Sequence, residues 1–105
     1  MEYKFTKDNF QEEVLNSDVP VLVDMFATWC GPCQMMGPVV EEIASQYSKT
    51  VKVGKLDIDQ DSEIAARYSV MSVPTFLVFK DGEVKGKVIG AVPKEELERL
   101  IDQAK

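Results

Sequence analysis

The run PVLVDMFA at positions 20–27 is apolar at almost every step. A half-solvated strand would alternate, so this pattern predicts a strand buried on both faces of a parallel sheet. Ahead of it, YKFT at 3–6 has the composition of a short strand. Thr6 or Asp8 is placed to cap a helix carrying Phe10 and Val14, four apart on one face. After position 33, Met36, Val39, Val40, Ile43, Ala44 and Tyr47 recur at helical spacing through Lys49. Pro38 falls inside this pattern and predicts a kink rather than a stop.

The second half continues the alternation. VKVGKLDID at 51–59 predicts another strand, and Ile64, Ala65 and Tyr68 a short helix. TFLVFK and EVKGKVI flank Asp81-Gly82, a two-residue hairpin signal. Pro93, expected at a first helical position, opens a last helix with an inner face of Leu97, Leu100, Ile101 and Ala104. The order is β-α-β-α-β-α-β-β-α. Strand-helix-strand units imply right-handed parallel crossovers, and the closing hairpin is antiparallel. The expectation is an α/β fold: a five-stranded mixed sheet with four helices on its two faces, in a single domain spanning 1–105.

Composition narrows the functions such a domain can have. The chain has 105 residues, a size typical of one domain. Its formal net charge of -6 disfavours nucleic acid and anionic membrane as partners, since both recruit positive patches. No window approaches the roughly 18 uninterrupted apolar residues of a membrane span. The start, MEYKFTKDNF, lacks the apolar core of a signal peptide, so a cytoplasmic location is expected.

The chain's 2 cysteines stand together in TWCGPCQ, residues 28–34. As a permanent staple they are poorly placed. A ring of about four residues gains roughly 2 kcal/mol in the chain-entropy model, against nearly 5 for a long loop. As a metal site they are too few: structural zinc takes about four ligands, and the chain has 0 His. A site shared between subunits and an inert buried pair remain as alternatives.

Position favours a reactive pair. The junction between a buried strand and a helix is where open α/β sheets place their chemistry. Cys30 at a helix N-cap would face unpaired N–H groups and the positive end of the helix dipole, both of which favour thiolate. Pro32 in the first turn loses no helical hydrogen bond. Side chains at i and i+3 share a face, and their Cα separation falls within the disulfide range of about 4.4–6.8 Å. The pair can therefore open and close without large backbone movement.

WCGPC after an apolar strand, the Asp within that strand, and the later SVPTFLVFKDGE followed by Gly90-Ala91 closely resemble the thioredoxin family, over essentially the whole chain. The resemblance implies a protein-disulfide reductase, a dithiol electron carrier in cell redox homeostasis. It would need no cofactor beyond its redox-active Cys30–Cys33 disulfide and would bind no metal. Cys30 would be the nucleophile and Cys33 the resolving thiol. Trp29, Gly31 and Pro32 complete the active-site motif. Asp24 would assist proton transfer at the resolving thiol, with Lys55 near it; the plainer reading is a satisfied structural Asp. Val73 would present its backbone to substrate beside a cis Pro74, with Gly90 and Ala91 completing the docking surface. Implied partners are a thioredoxin reductase and oxidised proteins, met by a monomer. Gln34, Phe26 and Ser72 depart from residues common in the family. A disulfide isomerase or a thioredoxin-like interaction module is the rival reading.

Overall fold

The computed structural model describes residues 2–105. The elements are β1 (Tyr3–Lys4), α1 (Gln11–Leu15), β2 (Val21–Phe26), α2 (Gly31–Gln46), β3 (Lys52–Asp57), α3 (Ser62–Arg67), β4 (Thr75–Lys80), β5 (Glu83–Ile89) and α4 (Lys94–Asp102). One five-stranded sheet has the order β1-β3-β2-β4-β5. The β1/β3 and β2/β3 pairs are parallel, and β2/β4 and β4/β5 are antiparallel.

The mixed sheet with helices on both faces is as expected, and the period-2 geometry of β2 explains it. Val21, Val23 and Met25 point to one face and pack with Phe10 and Val14 of the α1 region and Ile64 of α3. Leu22 points to the other and packs with Met36, Val40 and Ile43 of α2 and Leu97, Leu100 and Ile101 of α4. Asp24 shares that second face, by the same alternation. All of Val21 to Met25 is buried, because β2 is central and covered twice.

Four details differ from the sequence reading. β4 runs antiparallel to β2, so β3-α3-β4 is not a parallel crossover. The chain leaves β3 and enters β4 at the same end of the sheet. A six-residue helix, about 9 Å long, does not carry it back along a strand of about 20 Å. The first helix is wound with wide π-type turns: the Asn16 N–H donates to Gln11 O, five residues back, at 2.9 Å. Its entry turn is capped by Thr6, whose Oγ1 accepts from the Asp8 N–H at 3.2 Å and whose N–H donates to Asn9 Oδ1 at 2.8 Å. Pro93 precedes the last helix as its N-cap, because its ψ of 155° is extended rather than helical. β1 is only two residues long.

Pro38 does not stop α2, which runs to Gln46. The β4–β5 turn has φ 54° at Asp81 and 79° at Gly82, the left-handed pair that a tight hairpin needs.

Candidate active site

The end of β2 and the start of α2 set the geometry. Thr28 and Trp29 are exposed in the short connection, and Cys30 is the N-cap of α2 with φ -90° and ψ 112°. An N-cap acceptor takes one of the orphan N–H groups of the first turn. Here the acceptor is sulfur: the Cys33 N–H donates to Cys30 Sγ at 3.2 Å. Pro32 sits in that turn, where its missing N–H leaves no gap. Cys30 and Cys33 are joined as a disulfide, with Cα atoms 5.3 Å apart, inside the span expected from the i, i+3 spacing.

Both cysteines are largely buried and pack with Ala27, against Phe26, Ile58 and Val73. The surface over them is apolar. Trp29 is 70% exposed and anchored at its edge, where Nε1–H donates to Asp59 Oδ2 at 2.9 Å. Trp29, Gly31, Pro32, Met71 and Val73 line one depression against Cys30. Met71 is 94% exposed.

The Val73–Pro74 peptide is cis. Val73 O lies 3.7 Å from Cys30 Sγ, which can donate to it only as a thiol. The Gly90 N–H donates to Pro74 O at 2.8 Å, and Gly90 has φ 96°, a conformation that disfavours any side chain. The distant loops at 73–74 and 90 are thus brought together. Ala91 is exposed and follows Gly90; chain adjacency alone connects it with the disulfide.

Asp24 lies beneath this surface. It is 1% exposed, and its Oδ1 has no hydrogen-bond partner. With Ala27, Cys33, Gly37 and Lys55 it lines a single pocket under the first turns of α2. Burial pushes its pKa up from the usual 3.8 to about 7. Lys55 opposes that shift and Glu2 adds to it. Asp24 and Lys55 are register partners across β2 and β3. No hydrogen bond or ion pair joins them among the described residues. The Lys55 ammonium lies 4.0 Å from Glu2 Oε2 and 5.7 Å from the centre of the Phe26 ring.

Glu2, Asp59 and Met71 lie outside every motif in the sequence. Asp59 and Met71 flank motif residues only through folding. Glu2 reaches the site because β1 pairs beside β3, which places Lys4 opposite Lys55. A charged residue before a short edge strand carries no signal of such a role.

Comparison with known proteins agrees with this geometry. The family model described as Thioredoxin matches residues 2–103. The chain belongs to the thioredoxin family. It is 50% identical over 98 residues to Thioredoxin 1 of Synechococcus elongatus, covering 93% of this chain and 92% of that protein. It is 48% identical to Thioredoxin 1 of a Nostoc species and 49% identical to a thioredoxin of Porphyra purpurea, each over 93% of this chain and 92% of the relative. As a thioredoxin it is a thiol–disulfide oxidoreductase whose electrons reside on its own cysteine pair, so it needs no bound cofactor. Among the described residues, no cluster of three or more His, Cys, Asp and Glu is placed to hold a metal ion. Among the described residues, no helix is long and apolar enough to cross a membrane.

Proposed function

We propose that the chain is a cytoplasmic, monomeric, single-domain protein-disulfide reductase, recharged by a thioredoxin reductase. One observation carries the reading: Cys30 Sγ caps α2 and accepts the Cys33 N–H at 3.2 Å, beside an exposed apolar surface. The same donor and the helix dipole stabilise a thiolate at that sulfur once the disulfide is reduced. Cys30 is therefore the attacking thiol.

In the forward direction Cys30 Sγ attacks one sulfur of a target disulfide. A mixed disulfide forms, and the other target sulfur leaves with the electron pair. Cys33 then attacks Cys30 Sγ, its proton passing to the Asp24 carboxylate. The Cys30–Cys33 disulfide forms and the second target sulfur leaves as a thiolate; the target has gained two electrons, and its thiolates take up protons from water and from Asp24 as that carboxyl is reset. Asp24 suits the acceptor role, because a base with a pKa of about 7 is matched to neutral pH. Lys55 lines the same pocket and biases Asp24 toward the ionised form.

Substrate lies across Trp29, Pro32 and Val73. The Val73 backbone beside cis Pro74 offers a strand-like partner, and Gly90 and Ala91 form the adjoining rim. Gly31 borders Cys30 in the same depression, and a Cβ there would meet nothing within 4 Å.

The test is insulin reduction driven by a thioredoxin reductase. Cys30→Ser abolishes turnover. Cys33→Ser leaves the first attack intact and accumulates mixed disulfide, visible as a covalent adduct without reductant. Unchanged turnover in Cys30→Ser rules the mechanism out.

A further inference from the structure

We propose that Glu2 is a positioning residue for the Asp24 site: it holds the Lys55 ammonium away from Asp24 and adds a second negative charge in the adjoining groove, which shares Lys55 with the Asp24 pocket. The inference rests on the reading of Asp24 as proton acceptor, and the test below separates the two.

The geometry consists of three charged groups. Among the described residues, Glu2 Oε2 is buried with no hydrogen-bond partner and forms its ion pair with Lys55 Nζ at 4.0 Å. Lys55 stands between the carboxylates: Glu2 lines one groove with Phe26, Thr28 and Lys55, and those three also line the pocket holding Asp24 and Cys33. Asp24 Oδ1 is likewise buried without a partner. The surroundings contain little other charge. From β4 the register partner of Asp24 is Phe76, and from α2 the pocket receives Cys33, Gln34 and Gly37. The charges acting on Asp24 are Lys55, which lowers its pKa, and Glu2, which raises it. Glu2 in turn feels Glu41 of α2 as a like charge.

The two effects of Glu2 add. A cation paired with Glu2 is less available to stabilise ionised Asp24, and the Glu2 charge itself disfavours a second carboxylate nearby. Both keep Asp24 a stronger base. When Cys33 attacks, the Cys33 S–H bond breaks, its proton goes to Asp24, and the S–S bond to Cys30 forms as the target thiolate departs. Glu2 thereby sets the pH at which this transfer is best matched, without touching sulfur or substrate.

The experiment uses the reduced full-length chain. The Asp24 side-chain carboxyl is titrated by carbon NMR in the wild type, Glu2→Gln, Lys55→Met and the double variant. Release of a mixed disulfide with a small disulfide peptide is followed across the same pH range by Trp29 fluorescence. Glu2→Gln is expected to move the Asp24 midpoint to lower pH, and Lys55→Met to higher pH. In the double variant the Glu2 effect shrinks, because part of it acts through Lys55. The acid limb of the resolution rate moves with the midpoint, and its plateau falls in Glu2→Gln as the base weakens. An Asp24 midpoint unmoved by Glu2→Gln overturns the proposal. A midpoint that moves while the resolution profile stays fixed upholds the Glu2–Asp24 coupling and defeats the proton-acceptor role of Asp24.

Discussion

Asp24 gives up its hydration when the sheet and α2 close over it, and Oδ1 receives no hydrogen bond in return. The unfolded carboxyl ionises near 3.8 and the folded one near about 7. Between those values the folded chain holds a proton that the unfolded chain has lost. Stability therefore falls as pH rises through this window, and the loss is complete above about 7. At about 1.36 kcal/mol per pH unit, the penalty reaches roughly 4 kcal/mol. Asp24→Asn is expected to remove this dependence. The variant should be more stable than wild type by up to about 4 kcal/mol above neutrality and close to wild type in acid. Urea unfolding of the oxidised protein at several pH values measures it, and parallel curves for both proteins would refute a buried, protonated Asp24. The anomaly is legible in the sequence as a carboxylate inside VLVDMF. Its lack of a partner is not, because that depends on which groups β3, β4 and α2 bring to the same face.

Elements are more legible in the chain than their joints. A run apolar on both faces needs a central strand, and α2 and α4 show their inner faces as regular spacing. The orientation of β4 was not legible, since hydrophobic pattern is blind to strand direction. Nor was the π-type winding of α1, because Phe10 and Val14 share a face under either winding. β1 is a joint of this kind: two residues whose place depends on Gly54 of β3. A Cβ at Gly54 would collide with the Phe5 ring and approach Tyr3 Cβ to 2.8 Å. Gly54→Ala is thus expected to lift β1 and the following residue from the sheet, destabilising the chain by about 1–3 kcal/mol. The Phe5 N–H, bonded to Lys55 O at 2.8 Å, should exchange with solvent faster than amides of β2. Hydrogen exchange resolves this residue by residue, and unchanged Phe5 protection would show that β1 is held by something other than this contact.

At the scale of the whole molecule, an exposed apolar patch sits on an acidic body. Trp29 and Met71 are exposed beside the disulfide, while the chain carries a net charge of -6. The rim adds no cation at the motif itself: residue 34 is an exposed Gln, and Asp59 binds the Trp29 edge. Apolar contact acts only after the surfaces meet, whereas the charge acts over the screening length, about 30 Å at 0.01 M salt and about 3 Å at 1 M. Encounter should therefore depend on substrate charge even though the contact surface is neutral. For disulfide peptides of equal length, reduction of a Lys-rich substrate is expected to slow as salt rises, that of an Asp-rich one to quicken, and that of a neutral one to change little. Stopped-flow Trp29 fluorescence gives the second-order rate constants directly. If all three substrates respond alike, the body's charge is irrelevant to encounter and the apolar patch governs substrate choice alone.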